Sequence, residues 1–190
     1  MRLFAAVLPP REVLRELADE VAELRKLPGA DRLRWTQRPG WHFTLAFYGE
    51  VDEEVVAALS ARLEKAAHRT GTFSLALRGG GQFGRGKALW TGVEGDLAAL
   101  RLLAGRADAA ARKAGVPMGE HRPYKAHLTV ARSRDGLDAR PYVQALRDFT
   151  SSAWTVRELV LVRSLLPVSG VPGEQPRYEP VGRWPLRAAG

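Results

Sequence analysis

The residues of this chain best suited to chemistry are two histidines, each followed at the second place by a threonine. One lies in Trp41-His42-Phe43-Thr44-Leu45-Ala46-Phe47 and the other in Ala126-His127-Leu128-Thr129-Val130-Ala131. Both runs are apolar and read as strands. Side chains of a strand alternate between its faces. His42 and Thr44 therefore share one face, as do His127 and Thr129, while Phe43, Leu45, Leu128 and Val130 anchor the opposite face in a core. Two such strands side by side would offer two titratable rings and two hydroxyl donors to one cleft. Histidine titrates near pH 6.5 and serves as either acid or base. The set suits moving protons on both sides of a phosphorus atom. A single strand histidine is more often a hydrogen-bonded structural group, but repetition argues against that here. The chain has four histidines, His42, His68, His121 and His127, and eight threonines. Composition alone would produce the matched pair on the order of one time in a hundred.

The elements that must position these residues follow from periodicity. Residues 2-8 read as a buried strand ended by Pro9-Pro10. From Arg11 to Leu27, Val13, Leu14, Leu17, Val21 and Leu24 recur at helical spacing until Pro28-Gly29. Residues 33-35 are a short extended piece, and Pro39-Gly40 turns into the first motif strand, 41-48. Asp52 is positioned to cap a helix running to about His68. Strands are expected over 72-77 and 87-93, with a turn at Gly79-Gly80-Gly81, followed by a helix over 96-114 that Gly115 ends. The second motif strand is 126-131. Residues 139-148 read as a short helix, and residues 153-163 and 177-186 as strands. The loop 167-176 between them is rich in Pro and Gly. The motif histidines recur 85 residues apart, which points to a duplication. The expected fold class is α+β: one domain over 1-190, built of two pseudo-symmetric lobes of antiparallel or mixed sheet with outer helices, each lobe giving one motif to a central cleft.

Composition bounds the function. A chain of 190 residues with 45% hydrophobic content can bury a sizeable core. The absence of cysteine excludes disulfides and thiolate zinc sites and agrees with a cytoplasmic protein. No stretch approaches the ~20 apolar residues of a membrane span, and the first ten residues lack the apolar length and cleavage site of a signal peptide. The net charge of +8, mostly from arginine, suggests a polyanionic partner contacted through bidentate phosphate pairs.

Two glycine patterns between residues 79 and 88 mimic phosphate loops. Gly81, Gly86 and Lys87 fit the start of a Walker A pattern, but Ala88 stands where the magnesium-binding hydroxyl belongs, and a strand follows instead of a helix. Gly79, Gly81 and Gly84 match Gly-x-Gly-x-x-Gly, again with no helix after them. The reading is a hairpin, with Phe83 or Arg85 near the cleft. The histidines lack the spacing of a metal site, so no metal or cofactor is expected.

Taken together, the paired His-x-Thr-x motifs resemble the signature of the 2H phosphoesterase superfamily, most closely its RNA 2′,3′-cyclic phosphodiesterase branch, historically called 2′-5′ RNA ligase. Arg2-Leu3-Phe4-Ala5-Ala6, Arg34-Trp35, Phe47-Tyr48-Gly49-Glu50-Val51, Ala131-Arg132 and Leu161-Val162-Arg163-Ser164-Leu165 also fit that branch. The chain departs from it at Gly40, where Glu is frequent, at Ala126, where Pro is usual, and at Tyr48. The resemblance implies two α+β lobes around a cleft and hydrolysis of a 2′,3′-cyclic phosphate at RNA 3′ ends, or of small cyclic nucleotides, to a 2′-phosphomonoester. In that scheme His42 is the proton donor and His127 the acceptor, although residue chemistry alone allows the reverse. Thr44 and Thr129 would bind the non-bridging oxygens. By plain alternation Arg132 falls on the face of Val130, so a bulge or strand end is needed to bring it to phosphate. Phe4, Trp41 and Tyr124 are candidates to stack on a terminal base, or else core residues, and Arg122 and Lys125 would extend a basic rim. A non-catalytic RNA-end or nucleotide-binding module, and 2′-5′ RNA ligation in the same site, are the alternative functions. A monomer with no membrane association is expected.

Overall fold

The computed structural model describes residues 1–189. Nine strands and four helices form two sheets with helices packed on them, an α+β fold in which every strand pair is antiparallel. The four-stranded sheet has the order β3 (Phe43–Glu50), β1 (Arg2–Val7), β8 (Glu158–Leu165), β9 (Arg177–Pro185). The five-stranded sheet has the order β2 (Arg34–Trp35), β6 (Leu128–Arg132), β5 (Ala88–Gly95), β4 (Phe73–Phe83), β7 (Trp154–Val156). Neither sheet comes from one half of the chain: β1 pairs with β3 on one side and with the C-terminal strand β8 on the other, while β2 crosses to β6. One motif strand therefore belongs to each sheet.

The helices follow their apolar spacing. In α1 (Arg11–Leu24), Val13, Leu17, Val21 and Leu24 are buried, and in α2 (Glu53–Arg69), Leu59, Leu63, Ala66 and Ala67. In α3 (Leu97–Ala114) the buried stripe is Leu100, Leu103, Ala104, Ala107, Ala110 and Ala111. The short α4 (Arg140–Leu146) buries Tyr142 and Leu146 against β4 and β5. The cap expected from Asp52 occupies the right position, but its side chain makes no capping hydrogen bond. Asp96 does cap α3, accepting from the Ala99 N–H at 3.0 Å, and Gly115 closes that helix in the left-handed region.

Two expectations change. The Gly79-Gly80-Gly81 turn is not a turn: β4 runs through it to Phe83, with a register shift between Arg78 and Gly80, and the reversal falls at residues 84–87. Glycine serves there because other groups occupy the space of a side chain. A Cβ on Gly81 would come within 2.6 Å of the Trp90 ring, and one on Gly80 within 2.8 Å of the Trp90 carbonyl oxygen. Both phosphate-loop patterns are thus accounted for by a hairpin, since Ala88 opens β5. Likewise, residues 153-163 are not one strand. The run divides at Arg157, so that β7 pairs with β4 in the five-stranded sheet and β8 with β1 in the other. Alternation alone could not reveal that split, because each piece keeps the period of two.

Gly81→Val should destabilise the protein by about 1–3 kcal/mol, the usual cost of overpacking. Urea unfolding reads this, and a midpoint equal to wild type would mean that Trp90 does not need the glycine.

Candidate active site

Both motifs stand at the starts of their strands. His42 immediately precedes β3 and His127 immediately precedes β6, while Phe43 and Leu128 are fully buried behind them. His42, Thr44, His127, Thr129 and Arg132 all line one cavity of about 180 Å³. The structure thus brings together the two histidines, two threonines and one arginine expected to surround a phosphate. Six residues that sequence reasoning did not place there complete the wall: Arg34, Thr36, Gly40, Gln175, Pro176 and Tyr178.

Arg132 reaches the cavity through a bulge. Leu89 pairs with Ala131 and Trp90 with Thr129, so Val130 is the extra residue of β6. Val130 and Ala131 both turn into the core, at 0% exposure, and the next side chain returns to the face of Thr129. The first motif strand does the same. Ala5 pairs with Ala46 and Ala6 with Thr44, leaving Leu45 extra, and Leu45 and Ala46 are both buried. Phe47 is the counterpart of Arg132; it is exposed, with the Arg2 guanidinium 4.7 Å from its ring centroid.

Each histidine is held by two aromatic rings of its own sheet. His42 stacks on Phe4 at 4.6 Å between centroids and meets the edge of Tyr178 at 5.3 Å. His127 meets Phe83 at 5.0 Å and Trp90 at 6.2 Å, both edge-on. Burial against these rings lowers the pKa of His42 to about 4, because a desolvated imidazole disfavours its charged form. Its ring is therefore neutral in the empty site at neutral pH. The Nδ1 of His127 lies 2.8 Å from the Lys125 carbonyl oxygen. A carbonyl only accepts, so Nδ1 carries the proton and Nε2 is the nitrogen left for chemistry.

The cavity is electropositive by construction. Arg34 and Arg132 are direct cross-strand partners in β2 and β6, and neither has a carboxylate within 4.0 Å among the described residues. Like charges directly opposite each other are destabilising unless an anion joins them. Burial raises the pKa of the Tyr178 phenol, an effect opposed by the charges of Arg132, Arg2 and Arg34. Gln175 anchors the Pro/Gly-rich loop at this wall: its Nε2 donates to the Trp35 carbonyl at 2.7 Å, and its Oε1 accepts from the Gln37 N–H at 2.9 Å. Among the described residues, no three His, Asp or Glu side chains converge as metal ligands would.

The three candidate stacking aromatics have different places. Trp41 is buried in the main core, so it cannot meet a base. Phe4 is the floor beneath His42. Tyr124 lines a second cavity of about 260 Å³ beside His127, together with Phe83, Trp90 and Lys125. Arg122 is exposed, and the ammonium of Lys125 lies 5.6 Å from the Phe83 ring centroid. Of the departures from the family pattern, Gly40 lines the cavity that holds the two histidines and Ala126 the neighbouring one. Tyr48 points away, its hydroxyl donating to the Ala107 carbonyl of α3 at 2.9 Å. Tyr178 lay hidden to sequence reasoning because its place depends on the pairing of β9 with β8, 14 residues apart at Ser164 and Tyr178.

An NMR titration should find the His42 ring at a pKa of about 4 in the free protein. Tyr178→Ala, by admitting water, should raise it toward 6.5. A wild-type value of 6.5 would show that the aromatic cradle does not desolvate the ring.

Comparison with known proteins agrees with this geometry. Residues 10–166 match the 2′-5′ RNA ligase superfamily. The RNA 2′,3′-cyclic phosphodiesterase of Geobacillus stearothermophilus is 33% identical over 160 residues, 82% of this chain; the match spans only 48% of that relative's length. The RNA 2′,3′-cyclic phosphodiesterase of Escherichia coli (strain K12) is 30% identical over 190 residues, covering 97% of this chain and 96% of the relative. The crystal structure of E. coli LigT complexed with 3′-AMP superposes with a TM-score of 0.78 at 28% identity, covering 97% of both chains. Two sheets, each presenting a His-x-Thr motif to a shared basic cavity, and these likenesses together place the chain in the 2′-5′ RNA ligase superfamily.

Proposed function

We propose that this protein hydrolyses the 2′,3′-cyclic phosphate at RNA 3′ ends to a 2′-phosphomonoester, acting as a monomer and without a metal ion. The observation that carries this reading is the convergence, in one 180 Å³ cavity, of two histidines from different sheets with two threonines and two arginines that have no carboxylate partner. That is one acid, one base and four donors for a charged phosphorus centre. The relatives named above as RNA 2′,3′-cyclic phosphodiesterases support the substrate class.

In this mechanism the Nε2 of neutral His127 takes a proton from water as its oxygen bonds to phosphorus. The bond from phosphorus to O3′ breaks, and protonated His42 gives its proton to that oxygen. The hydroxyls of Thr44 and Thr129 and the guanidiniums of Arg132 and Arg34 stabilise the charge growing on the non-bridging oxygens. His42 is neutral in the empty site, so its charge must come with the substrate. A phosphate monoanion in a desolvated cavity favours the imidazolium and raises its pKa. One observation favours the reverse assignment: a ring with a pKa of about 4 is ready to act as a base.

Proton uptake separates the two assignments. A non-hydrolysable phosphodiester analogue keeps a fixed charge over this range. If His42 is the acid, binding should take up as much as one proton at pH 6–7, and affinity should rise as pH falls. Calorimetry in buffers of different ionisation enthalpy measures this. NMR of the two rings shows which one gains the proton: protonation of His127 with His42 left neutral would make His42 the base and His127 the acid.

Purified protein in excess chelator should convert a 2′,3′-cyclic-phosphate oligonucleotide to the 2′-monoester. His42→Ala and His127→Ala should each lower the rate by roughly 10²–10⁴, and Thr44→Ala or Thr129→Ala by less. The double histidine variant should lose far less than the product of the single losses, because both groups act in one transition state. Restoration by one divalent ion would refute the metal-free reading. Tight binding without turnover would make the protein a binding module.

A further inference from the structure

We propose that the groove between α2 and α3 is a second phosphate-binding site, one that holds the backbone of RNA outside the catalytic cleft. The inference rests on the RNA reading of the cleft for its choice of polyanion. A depression of about 120 Å³ is walled by Arg62, Lys65 and Arg69 of α2 and by Arg106 and Lys113 of α3, and floored by alanines. A depression of that size has room for a phosphate group. No acidic side chain lines it, and among the described residues none of the five cations has a carboxylate within 4.0 Å.

The five charges are not an ordinary solvated helix face. Arg62, Lys65 and Arg69 follow one another at intervals of three and four, so they share one side of α2 and repel each other. Arg106, across the groove, is half-buried and fixed: its Nη1 donates to the Arg69 carbonyl at 3.0 Å and to the buried Thr70 hydroxyl at 2.9 Å. Arg187 donates to the same carbonyl at 3.2 Å. The negative end of α2 is thus already satisfied, and the remaining positive charge is free for an external anion. The row along α2 spans about 10 Å at 1.5 Å per residue, long enough to follow more than one phosphate of a strand.

The groove lies behind the four-stranded sheet. Tyr48 of β3 points to α3, whereas Thr44 of the same strand lines the cleft. An RNA whose end occupies the cleft would have to pass around the edge of this sheet to reach α2. A cyclic mononucleotide could not make both contacts. Recognition by charge alone would be indifferent to sequence and sensitive to salt.

The test is a triple charge reversal, Arg62→Glu with Lys65→Glu and Arg69→Glu, at exposed positions that leave Arg106 in place. Circular dichroism and turnover of a 2′,3′-cyclic mononucleotide should match wild type, showing the fold and cleft intact. Binding of a 20-nucleotide RNA ending in a 3′-hydroxyl should weaken by at least ~10-fold at low salt, and its log–log salt slope should become shallower by about 2, roughly 0.7 per lost phosphate contact. A milder variant, Lys65→Gln with Arg69→Gln, should move both quantities in the same direction by less. Unchanged RNA affinity and slope in both variants would overturn the proposal. Inorganic phosphate as competitor distinguishes a small-anion site: if it binds the groove while RNA binding ignores the reversal, the RNA assignment is wrong. The 3′-hydroxyl RNA cannot be hydrolysed at a cyclic end, so this result stands even if the cleft proves to have another substrate.

Discussion

An extra residue directly after the motif threonine in each strand governs the geometry of the cleft. In a regular strand, the residue three places beyond the motif threonine would turn away from the cleft. At position 132 that would drive a guanidinium into a core of fully buried side chains, at a cost no partner there could offset. The bulges at Val130 and Leu45 send two successive side chains inward and reverse the phase. Arg132 then shares a face with Thr129, and Phe47 with Thr44. The same device, applied to two strands of similar sequence, yields an arginine that lines the cavity on one strand and an exposed aromatic ring on the other.

The two histidines are chemically alike and differently housed. A stacked phenyl ring and a phenol edge surround His42, while His127 is tied through Nδ1 to a main-chain carbonyl. Burial disfavours the charged form of the His42 ring, and the main-chain carbonyl fixes the tautomer of His127. The paired arginines opposite each other on β2 and β6 add a standing charge imbalance that an anion relieves. Holding like charges opposite each other costs folding energy, which a bound anion would offset. Such strain is tolerable because the rest of both sheets is apolar and closely packed.

The interleaved topology is what joins these parts. The five-stranded sheet takes β2 from before the first motif, so Arg34 arrives opposite Arg132. The four-stranded sheet takes β9 from the chain end, so Tyr178 arrives against His42. Glycines in β4 let Trp90 lie against its cross-strand neighbour, and Trp90 in turn flanks His127. Gln175 then ties the loop before β9 to the segment after β2. The walls of the cavity are therefore held from both ends of the sequence.

The shared face of each motif was legible from the sequence, because strand alternation is a local property: an apolar residue on each side of a polar one suffices to place His42 with Thr44 and His127 with Thr129. Helix stripes, the Gly115 stop and the failure of the glycine patterns as phosphate loops were legible for the same reason. What required tertiary structure was everything set by pairing between distant strands. Alternation put Arg132 on the wrong face, since a bulge is defined by the partner strand and leaves no mark in composition. It likewise read 153-163 as one strand, because a chain can change sheets without changing its period. Local alternation gives Arg34, Gln175 and Tyr178 no place at the cavity. Arg34 arrives by strand register across 98 residues and Gln175 by a side-chain hydrogen bond across 140, while Tyr178 needs the β8–β9 pairing set beside β1; which strands pair is decided by which apolar faces pack together, a property of the whole core.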